Sequence, residues 1–358
     1  MIATRMDSSS HEELKFDLPD ELIALDPPED RGLRRDDVRL LVSRLPDGDV
    51  EHRGFTELPD LLYPGDIVVI NTSATIPASL PAIAPDGSLL RLHLSTHLPA
   101  DLWIVELRRP TNEGPRPFFD EAPPEVLLPN GGNARLLAPY ATDRGRFVSR
   151  RLWVAELSLP QELSRYLHEH GTPITYGTRS HPLDRYQTVF ASEPGSAEMP
   201  SAGRAFTSDL ITRLIARGIE VAPLLLHTGV SSPEANEPPF EEFYRVGPRT
   251  AERINAARHA GGKVIAVGTT VVRALESVAD STGGVHPGEG WTRVVISPMH
   301  DVRGVDGLLT GWHEPLSSHL WMIESIAGSD VLRRAYSAAL ERRYLWHEFG
   351  DLHLMLPH

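Results

Sequence analysis

Apolar positions along the chain change period several times, and each change marks an element. Val264 to Val267 is a short continuous apolar run, the pattern of a strand buried on both faces. Beyond Gly268 the period lengthens: Val271, Ala274, Leu275 and Val278 share one helical face, with Arg273 and Glu276 off it. Gly268 permits a tight turn between the two, and Thr269 or Thr270 can cap the helix. Strand, glycine turn and helix start follow in that order. Such a start presents unpaired N–H groups and a positive dipole end, which suit a carboxylate, a phosphate or a polar ligand edge. It is also the ordinary connection of an α/β domain.

The same logic predicts further elements on either side. Ile67 to Asn71, Tyr186 to Phe190, Ile219 to His227 and Trp291 to Ser297 read as strands. Thr207 caps a predicted helix with Leu210, Ile211, Leu214 and Ile215 on its apolar face and Gly218 at its end. A helix from Pro248 to Ala260 stops at Gly261, and Leu320 to Ala327 and Val331 to Tyr344 form two closing helices. Near the start, Pro46-Asp47-Gly48-Asp49 sets a turn between the strand-like runs Val38 to Val42 and Val50 to Phe55. Leu58 to Leu62 makes a helical turn.

Residues 72–181 have a different texture. Proline and glycine recur every few residues, and the apolar runs are short: Leu89 to Leu94, Leu102 to Leu107, Val126 to Leu128, Ala134 to Leu137 and Leu152 to Leu157. That spacing predicts a small antiparallel β module, barrel-like or sandwich-like, followed by a helix over 161–170. The expected fold class is α/β: a larger α/β domain interrupted by this module. Residues 1–71 supply its first part, with 1–13 polar and expected to be disordered, 72–181 the insertion, and 182–358 the second part with most of the site.

Composition narrows the chemistry. At 358 residues, 41% hydrophobic and 23% charged, the chain fits a globular protein of roughly two domains of ~150 residues. No apolar run approaches the ~18 residues of a membrane span and the start lacks a signal-peptide core, so the expected location is cytoplasmic. Cysteine is absent, which removes disulfides, thiolate metal sites, cysteine nucleophiles and cysteine-bound iron–sulfur clusters. The formal net charge of −14 repels nucleic acid, so an RNA partner needs a local basic patch. Three arginine clusters qualify, around Arg31 to Arg39, Arg144 to Arg151 and Arg333 to Arg343, though each also reads as a solvated face.

Sixteen histidines call for a metal test, but His93/His97 and His168/His170 match no metalloprotease spacing, and no metal site is expected. Nucleotide-binding glycine motifs and the Gly-x-Ser-x-Gly elbow are missing. Four loops look more like a site than like scaffold. They are Gly195 to Gly203, His227 to Val230, Gly268-Thr269-Thr270, and Asp306 with the run Thr310 to Ser318. Ligands of open α/β sheets bind outside the carboxyl ends of strands, where these loops can converge.

These loops, with Phe16-Asp17-Leu18-Pro19, Pro64-Gly65-Asp66, Ile76-Pro77-Ala78, Arg185-Tyr186-Gln187-Thr188, Pro200-Ser201-Ala202-Gly203, His313-Glu314-Pro315 and Gly350-Asp351, give the chain a family resemblance nearly end to end. It resembles the S-adenosylmethionine:tRNA ribosyltransferase-isomerases of queuosine biosynthesis. The resemblance implies an α/β domain with a β insertion, S-adenosylmethionine as co-substrate and tRNA as partner. The implied reaction moves the ribosyl group onto an aminomethyl-deazaguanine in tRNA and isomerises it to give epoxyqueuosine, and adenine and methionine leave. Retained residues supply the expected site. His227, Glu242, His313 and Asp306 carry acid–base roles, and Asn71, Ser201, Gly268, Thr269, Thr270, Arg273 and Ser317 hold the cofactor. The chain departs from the family pattern after Asn71, at Ser79, over Glu237 to Glu242 and at Leu316, losing two histidines, two arginines and a lysine. Lost cations weaken phosphate contacts. This leaves two alternatives beside the family reaction: an S-adenosylmethionine-binding transferase for a small molecule or another nucleoside, or an inactive RNA- or protein-binding paralogue.

Overall fold

In the computed structural model, the described residues are 14–357 apart from 121, 143–146, 232–238 and 316. The expected disorder of 1–13, the basic residues Arg144 and Arg146, and Glu237 and Pro238 lie outside them.

Nine strands form one mixed sheet, in the order Gly288–Thr292, Glu242–Val246, Glu220–Leu226, Ile67–Asn71, Val264–Val267, Gly307–Gly311, Leu352–Pro357, Arg39–Leu45 and Asp49–Gly54. The four central strands, Glu220–Leu226 through Gly307–Gly311, are parallel. Their carboxyl ends therefore meet along one edge, which carries His227, Asn71, Gly268 and Gly311. Every residue of Ile67–Asn71 and Val264–Val267 is buried, as two-faced strands require. One face packs on the helices Pro248–His259, Thr269–Glu276, Ser318–Ala327 and Ser329–Glu341. The other packs on Phe55, Phe206 and the helix Ser208–Ala216.

The β module is a closed barrel. Phe147–Ser158, Asn133–Thr142, Glu125–Leu127, Ser79–Ile83, Leu89–His97 and Leu102–Arg109 pair in sequence, and the first pairs again with the last. Closure removes the free edges that such short strands would otherwise expose. The α/β class with an inserted barrel is thus the fold observed. The helix after the module is Leu163–His170.

Several expectations need correction. Tyr186 to Phe190 is not a strand. Leu183–Tyr186 is a 3-10 turn, and the Gln187 amide then docks on Thr75, accepting its N–H at 3.0 Å and donating to its carbonyl at 2.7 Å. The strand placed at Trp291 to Ser297 instead spans Gly288–Thr292, because its register is set by pairing with Glu242–Val246. Neither Thr269 nor Thr270 caps its helix. Gly268 occupies the N-cap position at φ 94°, where a side chain would be strained. Ile215, assigned to an apolar face, is 60% exposed, while Leu210 and Leu214 alone of that set are buried. Arg273 lies off the helix's apolar face yet is buried, paired with Glu242.

Candidate active site

The edge formed by the parallel strand ends gathers most of the predicted residues. The turn Ser201–Gly203 packs against Gly268, whose added Cβ would stand 3.4 Å from the Ala202 Cβ. The helix Thr269–Glu276 starts there, with N–H groups that have no intrahelical acceptor. Thr270 Oγ1 is buried without a hydrogen-bond partner among the described residues. An orphan hydroxyl beside open helix N–H groups fits an anionic or polar ligand end.

One turn further on, Arg273 accounts for its own burial. Its guanidinium pairs with the Glu242 carboxylate and donates to the Phe240 carbonyl at 2.8 Å. Glu242 also accepts the Gly229 N–H at 3.0 Å. Burial pushes the Glu242 carboxyl up, and the Arg273 charge opposes that shift. The pair ties the helix start to the loop after His227.

His227 follows the strand Glu220–Leu226, with its ring stacked on Phe243 at 6.0 Å between centroids. Its Nδ1 lies 2.7 Å from Ser73 Oγ, and Ser73 Oγ lies 2.6 Å from Ser196 Oγ. Gly195 flanks the ring so closely that a Cβ there would stand 2.5 Å from Cε1 and Nδ1. Burial lowers the His227 pKa, leaving the imidazole neutral at pH 7. Asn71 fixes the strand end itself. Its side-chain oxygen accepts the Leu226 and Ser73 N–H groups and its nitrogen donates to the Leu226 carbonyl. These bonds give Asn71 a positioning role.

His313 sits beyond Gly307–Gly311 with Nε2 at 3.0 Å from Thr310 Oγ1, its ring stacked on His319 at 4.5 Å. Burial and neighbouring histidines hold its pKa well below the ordinary value, and burial takes that of His319 down to about 4. Ser317 caps the helix Ser318–Ala327 and contacts His319 Nδ1 at 3.0 Å, so its hydroxyl is already engaged.

Asp306 is not brought to this edge. It precedes the strand Gly307–Gly311, at the amino end of the sheet, where its carboxylate accepts the Val264 N–H at 2.8 Å. Among the described residues no three histidine, aspartate or glutamate side chains gather as metal ligands.

Sequence reasoning missed several neighbours. Ser73 and Ser196 are common residues whose value comes from meeting each other and His227 across 123 positions. Glu198 is buried against the Tyr176 hydroxyl and accepts the Ser231 N–H at 2.7 Å. The barrel joins at the same loop: Arg151 donates to the Ser231 carbonyl at 3.1 Å, and Ser95 Oγ accepts the Val230 N–H at 3.0 Å. Glu348 lines a small crevice with Ser201, Arg204 and Gly311, and burial raises its pKa to about 8. No motif signalled it.

A family model described as queuosine biosynthesis protein matches residues 11–355. The S-adenosylmethionine:tRNA ribosyltransferase-isomerase of Symbiobacterium thermophilum is 38% identical over 353 residues, covering 95% of this chain and 98% of that protein. The protein of the same name from Desulfitobacterium hafniense is 35% identical over 96% of this chain and 99% of its own length. The crystal structure of S-adenosylmethionine tRNA ribosyltransferase from Thermotoga maritima is similar at a TM-score of 0.52 and 29% identity, over 95% of this chain and 99% of that one. Matched over nearly its full length, the chain belongs to the S-adenosylmethionine:tRNA ribosyltransferase-isomerase family of queuosine biosynthesis.

Proposed function

We propose that this protein transfers the ribosyl group of S-adenosylmethionine to 7-aminomethyl-7-deazaguanine in tRNA and isomerises it, giving epoxyqueuosine and releasing adenine and methionine. The observation that carries this reading is the convergence of the loops after four parallel strands on one edge, with the buried, unpartnered Thr270 hydroxyl at a helix start among them. The methionine carboxylate suits that helix start, with Thr269 and Thr270 as its nearest hydroxyls. A sulfonium acidifies the adjacent ribose carbon, so a protein base can remove a proton there and open the ring. Glu242 is the proposed base. Its carboxyl is raised by burial, which brings a carboxylate nearer to proton-accepting strength at neutral pH, and Arg273 holds it in place. As proposed, the chemistry draws on side chains and the sulfonium rather than on a metal.

The partly exposed rings of Phe243, which stacks on His227, and Trp291, 5.8 Å from Phe243, offer a face on which a flipped-out base can stack. The test is adenine release from S-adenosylmethionine with and without tRNA carrying the deazaguanine. Release that needs the modified tRNA supports the reading. Calorimetric binding of S-adenosylmethionine without tRNA-dependent release contradicts it, and points to a transferase for another acceptor.

A further inference from the structure

Ser196 is fully buried, and its hydroxyl has two partners among the described residues, the Thr228 N–H at 3.0 Å and Ser73 Oγ at 2.6 Å. The Thr228 N–H can only donate, so the Ser196 proton goes to Ser73. Ser73 is 1% exposed, and its hydroxyl likewise has two partners, Ser196 Oγ and His227 Nδ1 at 2.7 Å. It accepts from Ser196, so its own proton goes to Nδ1. Reversing the chain would leave a buried Ser196 hydroxyl with no acceptor, a cost of about 1–3 kcal/mol.

We infer that the Ser196–Ser73 pair fixes His227 as the tautomer protonated at Nε2, making it a hydrogen-bond donor to a lone pair of the bound nucleoside and not the base of the reaction. This role rests on the proposed function, while the tautomer itself does not. Nε2 has no partner among the described residues and is not closed off from solvent, so it is the ring atom open to a ligand. Its natural acceptors are a ribose oxygen or a ring nitrogen of the departing adenine, atoms that gain negative charge as bonds to the sugar break. No proton changes hands. Full transfer from the neutral ring would require Ser73 to reprotonate Nδ1 and would strand an alkoxide at Ser196. With His227 as donor, proton abstraction falls to Glu242.

The test is a long-range proton–nitrogen correlation spectrum of the full-length protein labelled at histidine nitrogen, with the His227 signals identified by their loss in His227→Gln. A protonated Nε2 and an unprotonated Nδ1 at pH 7.5 are the expected result. Ser73→Ala or Ser196→Ala should turn this into a mixture of tautomers; using both guards against one variant failing to fold. A protonated Nδ1 in the wild-type protein overturns the inference, as does a single tautomer that neither serine variant changes. In the adenine-release assay, His227→Ala should lose about 100-fold, and His227→Gln, whose amide still donates, should recover at least ~10-fold of that loss. Gln as inactive as Ala would overturn the donor role. A wild-type protein with the expected tautomer and no adenine release would overturn the functional reading and leave the tautomer standing.

Discussion

At Gly195 a missing side chain decides whether His227 can sit where it does. An alanine Cβ would stand 2.5 Å from the ring, and the backbone on both sides is anchored, by Glu193 pairing with Ser73 and by Ser196 bonding to Thr228. Gly195→Ala should therefore displace the imidazole rather than the strand, costing about 1–3 kcal/mol from overpacking. A ring moved by about 1 Å lowers catalysis on the order of 100-fold. Thermal melts and adenine release on the same variant measure both. Arg273 makes a second case. Without it, Glu242 is a buried carboxylate with only the Gly229 N–H as a partner among the described residues. Arg273→Leu should cost about 3–5 kcal/mol, and the double variant Arg273→Leu/Glu242→Gln should restore much of that stability without restoring activity. Denaturant unfolding of the single and double variants checks this.

Elements differ in how far the sequence reveals them, and burial explains the difference. Ile67–Asn71 and Val264–Val267 are covered on both faces, so their apolar runs leave little alternative. Gly288–Thr292 has two glycines and a half-exposed face, and its position comes from its partner strand, which no local pattern encodes. Leu352–Pro357 escaped notice for a related reason. His353, its second residue, interrupts the apolar run and is buried against Ser43 only because the strand lies beside Arg39–Leu45, more than 300 positions away. Tyr186 to Phe190 has strand-like composition, but the Gln187 side chain bonds to Thr75 where a neighbouring strand would have had to pair. The loops at His227, Gly268 and Thr310 to Ser318 were legible because each follows a buried strand, whereas Asp306 precedes one. The Ser196–Ser73–His227 chain was not, since it depends on contacts across three loops. Caps are more readable. Thr207 Oγ1 accepts the Leu210 N–H at 3.2 Å as the sequence implies, and Thr207→Ala should destabilise the protein by about 1 kcal/mol, read as a lower unfolding midpoint with an unchanged slope.

For the whole molecule, buried neutral histidines set the acid limit. Burial brings the His353 pKa down to about 3 and that of His319 to about 4, against an ordinary value near 6.5. The unfolded chain then binds protons that the native state refuses. Their contribution is present above pH 6.5 and is lost as pH falls toward those folded values. The melting temperature should drop steadily between pH 6.5 and 4, and a Ser43→Ala/His353→Leu variant should show a shallower drop. The barrel meets the sheet at the candidate site, where Ser95 and Arg151 of the barrel bond to Val230 and Ser231 in the loop that carries Gly229. A net charge of −14 leaves little general attraction for nucleic acid, so under the proposed function the weight of tRNA recognition falls on the modified base.

The most direct test of that account is nucleoside mass spectrometry of tRNA carrying 7-aminomethyl-7-deazaguanine after incubation with the protein and S-adenosylmethionine. Conversion of the deazaguanine to epoxyqueuosine by the wild-type protein, abolished in Glu242→Gln, is the predicted result. An unchanged deazaguanine under conditions where S-adenosylmethionine binds, or conversion that survives Glu242→Gln, would contradict it.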